Sequence, residues 1–431
     1  MTLSKWLTHL NRVTHPLFNG MIIIPTILTV TLALEVAAQE DFSPIAPTTY
    51  TESEPASEDE DLDLYLTYLQ SLQSPFIGLE LNTPQNPYSN LNSSLKAGSE
   101  DDGDGDNVYY GTGIFGAGNQ SGHEKNAALG YQALYSLTSG DNNVAMGYQA
   151  LYSNTTGSEN TGVGYGVLYN TTTGDNNIAM GYRAMNSNTT GSGSVGIGYE
   201  ALYTATTEGS LTAIGYQAAK ANTTGTGTVA VGYQALTANT TGDANVALGY
   251  QALKSNTSGD DNIAVGYQAL YSNISGNRNN ASGMYALYAN TSGSHNTAIG
   301  AYALYANTTG DYNIALGGVS LYDNTTGEYN IGLGYQTLYE NTTGDANVAL
   351  GTKALVTNTT GNYNHAIGFQ GLYRNTTGSH NASMGYNTLL ENTTGDSNIA
   401  IGSYSLNKNT TGSGSVGIGY EALYTATTEG S

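Results

Sequence analysis

The chain has 431 residues, with 34 acidic side chains against 11 basic ones, a formal net charge of −23, 56 glycines, 35 tyrosines and no cysteine. So acidic a balance excludes a nucleic-acid-binding surface, which needs clustered Lys and Arg to neutralise phosphates. The missing cysteines exclude disulfides as a source of stability.

Residues 1–38 read as a signal peptide. Lys5 and Arg12 supply positive charge, Met21 to Leu34 is almost wholly apolar, and Val36-Ala37-Ala38 offers a small-residue cleavage site. The apolar run is shorter than the roughly 20 residues a membrane span requires. A secreted or cell-surface location is therefore expected, with no transmembrane span after signal removal; an uncleaved N-terminal anchor is the alternative.

Residues 39–106 hold 15 acids against one base, Lys96, with six prolines between Pro44 and Pro87. Self-repulsion and proline predict a disordered linker. Inside it, Leu62, Tyr65, Leu66, Leu69 and Leu72 fall at helical spacing behind the acidic Glu58 to Asp61, which predicts a short helix over 58–73. Docking on a partner and transient formation within a linker are both open for it. Asp102, Asp104 and Asp106 alternate as in oxygen-rich Ca²⁺ loops, although a full EF-hand loop would carry Gly at Asn107 and Glu at Gly113. Ca²⁺ is the one cofactor the sequence suggests, against a solvated acidic stretch. Residues 107–125 read as a degenerate first coil or cap. Gly111 to Gly116 matches GxGxxG there, but no βαβ pattern surrounds it, so a nucleotide site is not expected.

From Asn126 to the end, eighteen copies of a 17-residue unit follow one another without a slip, marked by a glycine at every seventeenth position from Gly130 to Gly419. Taking that glycine as position 0, position −1 is apolar in all copies but one (Ser282), position −2 is only Ala, Gly or Ser, and Val or Ile recurs at −3. Period two indicates a strand. Leu at +4 reads as core, and Asn-Thr-Thr-Gly at +7 to +10, as in Asn307 to Gly310, is turn chemistry. The expected fold is all-β: a parallel β-roll or β-solenoid of 17-residue coils over 126–431, each coil with two short strands and two corners. Leu and Val/Ile columns are expected to line its interior, with the tiny-residue face approached closely by another backbone. The stretch Asn188 to Ser210 recurs letter for letter as Asn409 to Ser431, and the last copy carries no polar cap. Cover by another chain, or truncation, is expected there.

Asn recurs at −4, for example Asn143, Asn177, Asn245, Asn313 and Asn398. Stacked from coil to coil, these amides would form an internal ladder satisfying buried polar groups. Asn154, Asn239, Asn324 and Asn409 open Asn-x-Thr sequons, readable as glycosylation sites or as turn residues. At +5, Tyr135, Tyr152, Tyr203, Tyr271, Tyr305 and Tyr424 form a column that also accepts Lys220 and Lys254, which predicts outward-facing rings. Such a column would serve as an interaction platform or as ordinary cross-coil stacking. The histidines follow no metal-ligand spacing. No acids pair across a cleft in the manner of a glycan hydrolase, and no enzyme is expected.

The pattern Asn-x-Ala-x-Gly-x-x-Ala, as in Asn143-Val-Ala-Met-Gly-Tyr-Gln-Ala150 and Asn245-Val-Ala-Leu-Gly-Tyr-Gln-Ala252, resembles the head repeats of trimeric autotransporter adhesins of the YadA type, over about 70% of the chain. The resemblance implies a parallel β-roll, three chains packed side by side as a homotrimer, and binding of a surface glycan or matrix ligand. The chain would act as a secreted, non-enzymatic adhesin head or fibre shaft. A self-assembling extracellular filament without a dedicated ligand is the alternative.

Overall fold

The computed structural model describes residues 96–97 by backbone alone, and 107–115, 123–207 and 209–427 in full. Of two compact units in the chain, these all belong to the second, Thr83–Ser431. The signal segment, the 58–73 helix and Asp102, Asp104 and Asp106 lie outside the described residues.

One three-residue strand recurs per repeat, from β3 (Ala127–Leu129) to β20 (Val416–Ile418), preceded by β1 (Lys96–Ala97) and β2 (Val108–Tyr110). Each strand from β2 onward pairs in parallel with the next; Val246, Ala247 and Leu248 of β10 face Ile263, Ala264 and Val265 of β11. β1 adds antiparallel to β2, with Lys96 opposite Tyr109. Among the described residues there is no helix. The chain is an all-β parallel β-solenoid of 17-residue coils.

Three residues cannot hold a strand alone, so the solenoid is stabilised by repetition: each strand amide finds its partner one coil away. The amide of Val246 donates to the Asn262 carbonyl at 2.8 Å, and that of Gly249 to the Val231 carbonyl at 2.8 Å. The same coil-to-coil bonding continues past the strand, where Gln251 donates to Tyr233 at 2.8 Å, Leu253 to Ala269 at 2.9 Å and Ser255 to Tyr271 at 3.0 Å.

That stretch was expected to be a second strand and is not one. Position +2 (Gln251, φ 53°) and position +4 (Leu253, φ 52°) both sit in the left-handed region, and neighbouring coils repeat this. Alternating handedness lets the backbone curl tightly while N–H and C=O still point along the axis. Each left-handed residue costs about 1–2 kcal/mol; a cross-coil hydrogen bond and burial of Leu253, at about 1.5–3 kcal/mol, offset it.

The interior is narrow. It is filled by Ala at −2, Ala at +3 and Leu at +4, as with Ala247, Ala252 and Leu253, all fully buried. The expected Val/Ile lining is corrected: the −3 and −1 side chains point outward, with Ile263 43% and Leu248 37% exposed. The tiny-residue face meets the coil's own contents and not another chain. A Cβ on Gly162 would lie 3.1 Å from Val167 Cγ2, and one on Gly196 would lie 2.6 Å from Met185 Cγ. Each of these −2 glycines lies against a side chain that replaces the usual Ala or Leu, Val167 at +3 of the same repeat and Met185 at +4 of the preceding one, as close packing demands.

Residues 107–115 form a further coil, with Gly111 at its position 0 (φ 146°). Its interior is aromatic: Tyr109 meets Phe115 edge-on at 5.2 Å, and Phe115 lies 4.6 Å from the buried His123 ring. Asn107 there begins the −4 ladder, bonding the His123 carbonyl at 3.0 Å and accepting from the Asn126 amide at 2.8 Å.

Candidate interaction surface

Positions −3, −1 and +1 form three adjacent outward columns on one face. From Ala127 to Tyr420 none of the three holds Asp, Glu, Lys or Arg, in a chain of net charge −23. Most of their side chains are apolar, with Met146, Ile178, Ile314, Leu350 and Ile399 exposed; Asn280, Ser282, His365, Ser403 and a few threonines are the polar exceptions. At the strand spacing of ~4.8 Å per coil this stripe is roughly 80 Å long. With a width of about 10 Å it covers roughly 800 Å², well above the few hundred Å² that monomers ordinarily expose.

The +1 column is tyrosine in nine successive coils, Tyr131 to Tyr267. Adjacent rings lie 5.0–5.2 Å apart with planes within 18°. Each ring covers its neighbours' faces, so only edges and hydroxyls meet solvent. Beside it, at +2, glutamine amides link coil to coil, Gln149 to Gln132 at 2.9 Å and Gln251 to Gln234 at 3.0 Å. The coil of Asn280, Ser282 and Met284 interrupts this pattern, and tyrosine moves to +2 at Tyr285 and Tyr302, with Tyr267 meeting Tyr285 edge-on at 5.3 Å.

Sequence reasoning singled out the +5 tyrosines instead. Tyr135, Tyr152, Tyr203, Tyr271, Tyr305 and Tyr424 are each half-buried, less exposed than the +1 rings. Tyr135 and Tyr152 stack at 5.0 Å, and Tyr305 and Tyr322 at 5.1 Å. Lysine fits this column because it caps a ring: Lys254 Nζ sits 5.5 Å from the Tyr271 centroid and Lys220 Nζ 5.9 Å from that of Tyr203. Lys220 also bridges Glu200 at 2.7 Å. Burial pushes the Glu200 carboxyl up, but hydrogen bonds from Lys220 and Gln217 and the lysine charge outweigh it and hold it below the usual value. Burial, then the neighbouring phenols, raise Tyr152 above the ordinary phenol value. The +1 column was missed although nine tyrosines at one repeat position were visible.

At +6, burial alone raises the Asp323 carboxyl above the ordinary carboxylate value. A raised acid penalises the folded state at pH above its folded value, and the penalty disappears as pH falls through that value toward the unfolded one. Asp323→Asn is therefore expected to stabilise at pH 7, by at most about 0.5 kcal/mol because the group is partly solvated. Denaturant titrations should show the advantage vanish in acid.

The −4 asparagines are buried and linked. Asn143 donates to Asn126 Oδ1 at 3.1 Å, Asn398 to Asn381 Oδ1 at 3.1 Å, Asn177 to Asn160 Oδ1 at 3.0 Å, and Asn245 and Asn313 donate to the Gly259 and Gly327 carbonyls at 2.7 and 2.8 Å. A second ladder, at +7, was not foreseen. Asn239 donates to Asn222 Oδ1 at 2.7 Å, Asn324 to Asn307 Oδ1 at 2.8 Å and Asn409 to Asn392 Oδ1 at 2.9 Å, while Asn154 donates to the Gly157 carbonyl at 2.9 Å. These four sequon amides are fully buried, so the folded coil leaves no room for a sugar on them.

His295 and His380 stack on Tyr312 and Tyr363 at 4.7 and 5.0 Å. Among the described residues no three His, Asp or Glu side chains are grouped to hold a metal ion. No protein-family model, curated protein or solved structure matches the chain.

Proposed function

We propose that the chain is a secreted, non-enzymatic rod that packs side by side with copies of itself, as a YadA-like adhesin head or fibre shaft, and acts by binding through its repetitive outer surface. The observation that carries this reading is the uncharged apolar stripe of positions −3, −1 and +1. Its roughly 800 Å² is what one partner contributes to an interface of ordinary size. A second rod with the same repeat brings the same 80 Å length and the same lack of charge, so self-association buries the stripe without stranding an ion. The columns outside the stripe are then free to meet a surface glycan or matrix ligand.

Sedimentation and light scattering of the purified protein test the reading, with a trimer as the expected mass. Introducing V231K, L248K and V265K together places three cations in the stripe at outward positions. The variant is expected to keep its circular dichroism and to become monomeric. A wild-type chain that stays monomeric at micromolar concentration overturns the proposal. Open-ended growth in place of a discrete oligomer would favour the filament.

A further inference from the structure

The tyrosine column within the stripe has a chemistry that packing alone does not use. Nine phenols stand in line from Tyr131 to Tyr267, their faces covered by one another and each residue still 38–46% exposed. Ring contacts continue beyond the column through Tyr285, Tyr288 and Tyr305 to Tyr339. An electron removed from one ring can be replaced from the next, so an oxidising equivalent is free to travel along the stack. The chain has no cysteine, and a disulfide cannot join neighbouring copies.

We propose that the column from Tyr131 to Tyr267 is an oxidative cross-linking seam, at which a peroxidase-type oxidant using hydrogen peroxide joins laterally packed copies of this chain through dityrosine. The inference rests on the side-by-side reading, because the +1 column is brought against a second copy only when the stripe is buried. Each of two phenols, one per copy, loses an electron and its hydroxyl proton. The two phenoxyl radicals couple by a carbon–carbon bond between positions ortho to oxygen, and each displaced ring hydrogen returns through water to the oxygen, restoring the aromatic rings. The two electrons and two protons reduce hydrogen peroxide, whose O–O bond breaks, to two waters.

Exposure alone does not select this column. Tyr329 and Tyr363 are more exposed, at 56% and 55%, but they stand at −5, away from the stripe. The position within the apolar stripe makes the +1 rings the ones that meet a partner, and Tyr131 to Tyr267 are the +1 rings that form an unbroken stack.

The full chain should be sized by light scattering, then treated with a haem peroxidase and hydrogen peroxide. Covalent oligomers are read on denaturing gels and linked residues located by mass spectrometry. Links between copies are expected to map to the column, and to be largely lost when Y131F and the same change at the other eight positions are made together. Phenylalanine keeps the ring stack, and circular dichroism and light scattering check that fold and assembly survive. The control Y135F, Y152F and Y169F in the half-buried +5 column is expected to leave the links intact. An assembled protein whose links persist in the nine-position variant, or map to Tyr312, Tyr329 and Tyr363, overturns the seam while leaving assembly standing. A protein that is monomeric before oxidation overturns the side-by-side reading and the seam with it.

Discussion

Gly249→Ala is expected to destabilise the solenoid by about 4 kcal/mol or more, among the largest effects a single methyl group can have. Gly249 has φ 135°, a conformation L residues rarely adopt, and a Cβ there would lie 2.5 Å from the Gly266 carbonyl oxygen. The obstacle is backbone, and it cannot move independently: Gly266 is itself hydrogen-bonded to Leu248 at 2.9 Å and would meet Gly283 in the same way. Relief therefore requires neighbouring coils to separate, breaking the ladder on both sides. Because each coil contacts only its neighbours, the damage is expected to be local. Hydrogen exchange should show protection lost in the coils of Gly249 and Gly266 and retained in distant coils, and denaturant unfolding should split into more than one transition. The adjacent outward change L248A should cost little.

The period was legible because every column of the solenoid is a column of the repeat. An unvarying glycine at position 0 reports a backbone contact that admits no side chain, and Leu at +4 reports a cavity of fixed size. Inside and outside were harder. A strand with branched residues on one face and Ala on the other ordinarily buries the branched face, and here the order is reversed. With one strand per coil the backbone returns within a few residues, leaving an interior that Ala247, Ala252 and Leu253 already fill. The compensating pairs, Gly162 with Val167 and Gly196 with Met185, were a readable sign that −2 and +3 or +4 share one space. The left-handed residues had little signature: Gln251 and Leu253 are not residues that favour positive φ, and their conformation is imposed by the ladder. The surface was half legible. Tyrosine at +5 was noticed and proved to be stacked in a half-buried row, while the more exposed +1 tyrosines passed unremarked because their orientation depends on which face of the strand is inside.

Asn330→Ala is expected to cost about 3 kcal/mol or more, for a reason distinct from the glycine's. The Asn330 side chain donates to Asn313 Oδ1 at 3.2 Å and to the Gly344 carbonyl at 2.8 Å, and its own oxygen accepts from the Asn347 amide at 3.0 Å and the Asn347 side chain at 3.1 Å. Truncation orphans several of these groups at once in a site closed to solvent, each at about 1–3 kcal/mol. Water cannot easily replace the amide, because the corner is packed by neighbouring glycine backbone: a Cβ on Gly344 would lie only 2.4 Å from the Gly361 oxygen. Asn330→Asp separates shape from bonding, since it preserves the acceptor oxygen and loses the two donors. It is expected to be about as destabilising as alanine at pH 7, where a buried unpaired carboxylate is added to the lost bonds, and to recover partly in acid as the carboxyl is protonated and can donate once. Chemical denaturation of both variants at pH 7 and pH 4 measures this. If the ladder were ornamental, alanine would cost no more than the 0.5–2 kcal/mol or so of an ordinary lost cap, and the aspartate would show no dependence on pH.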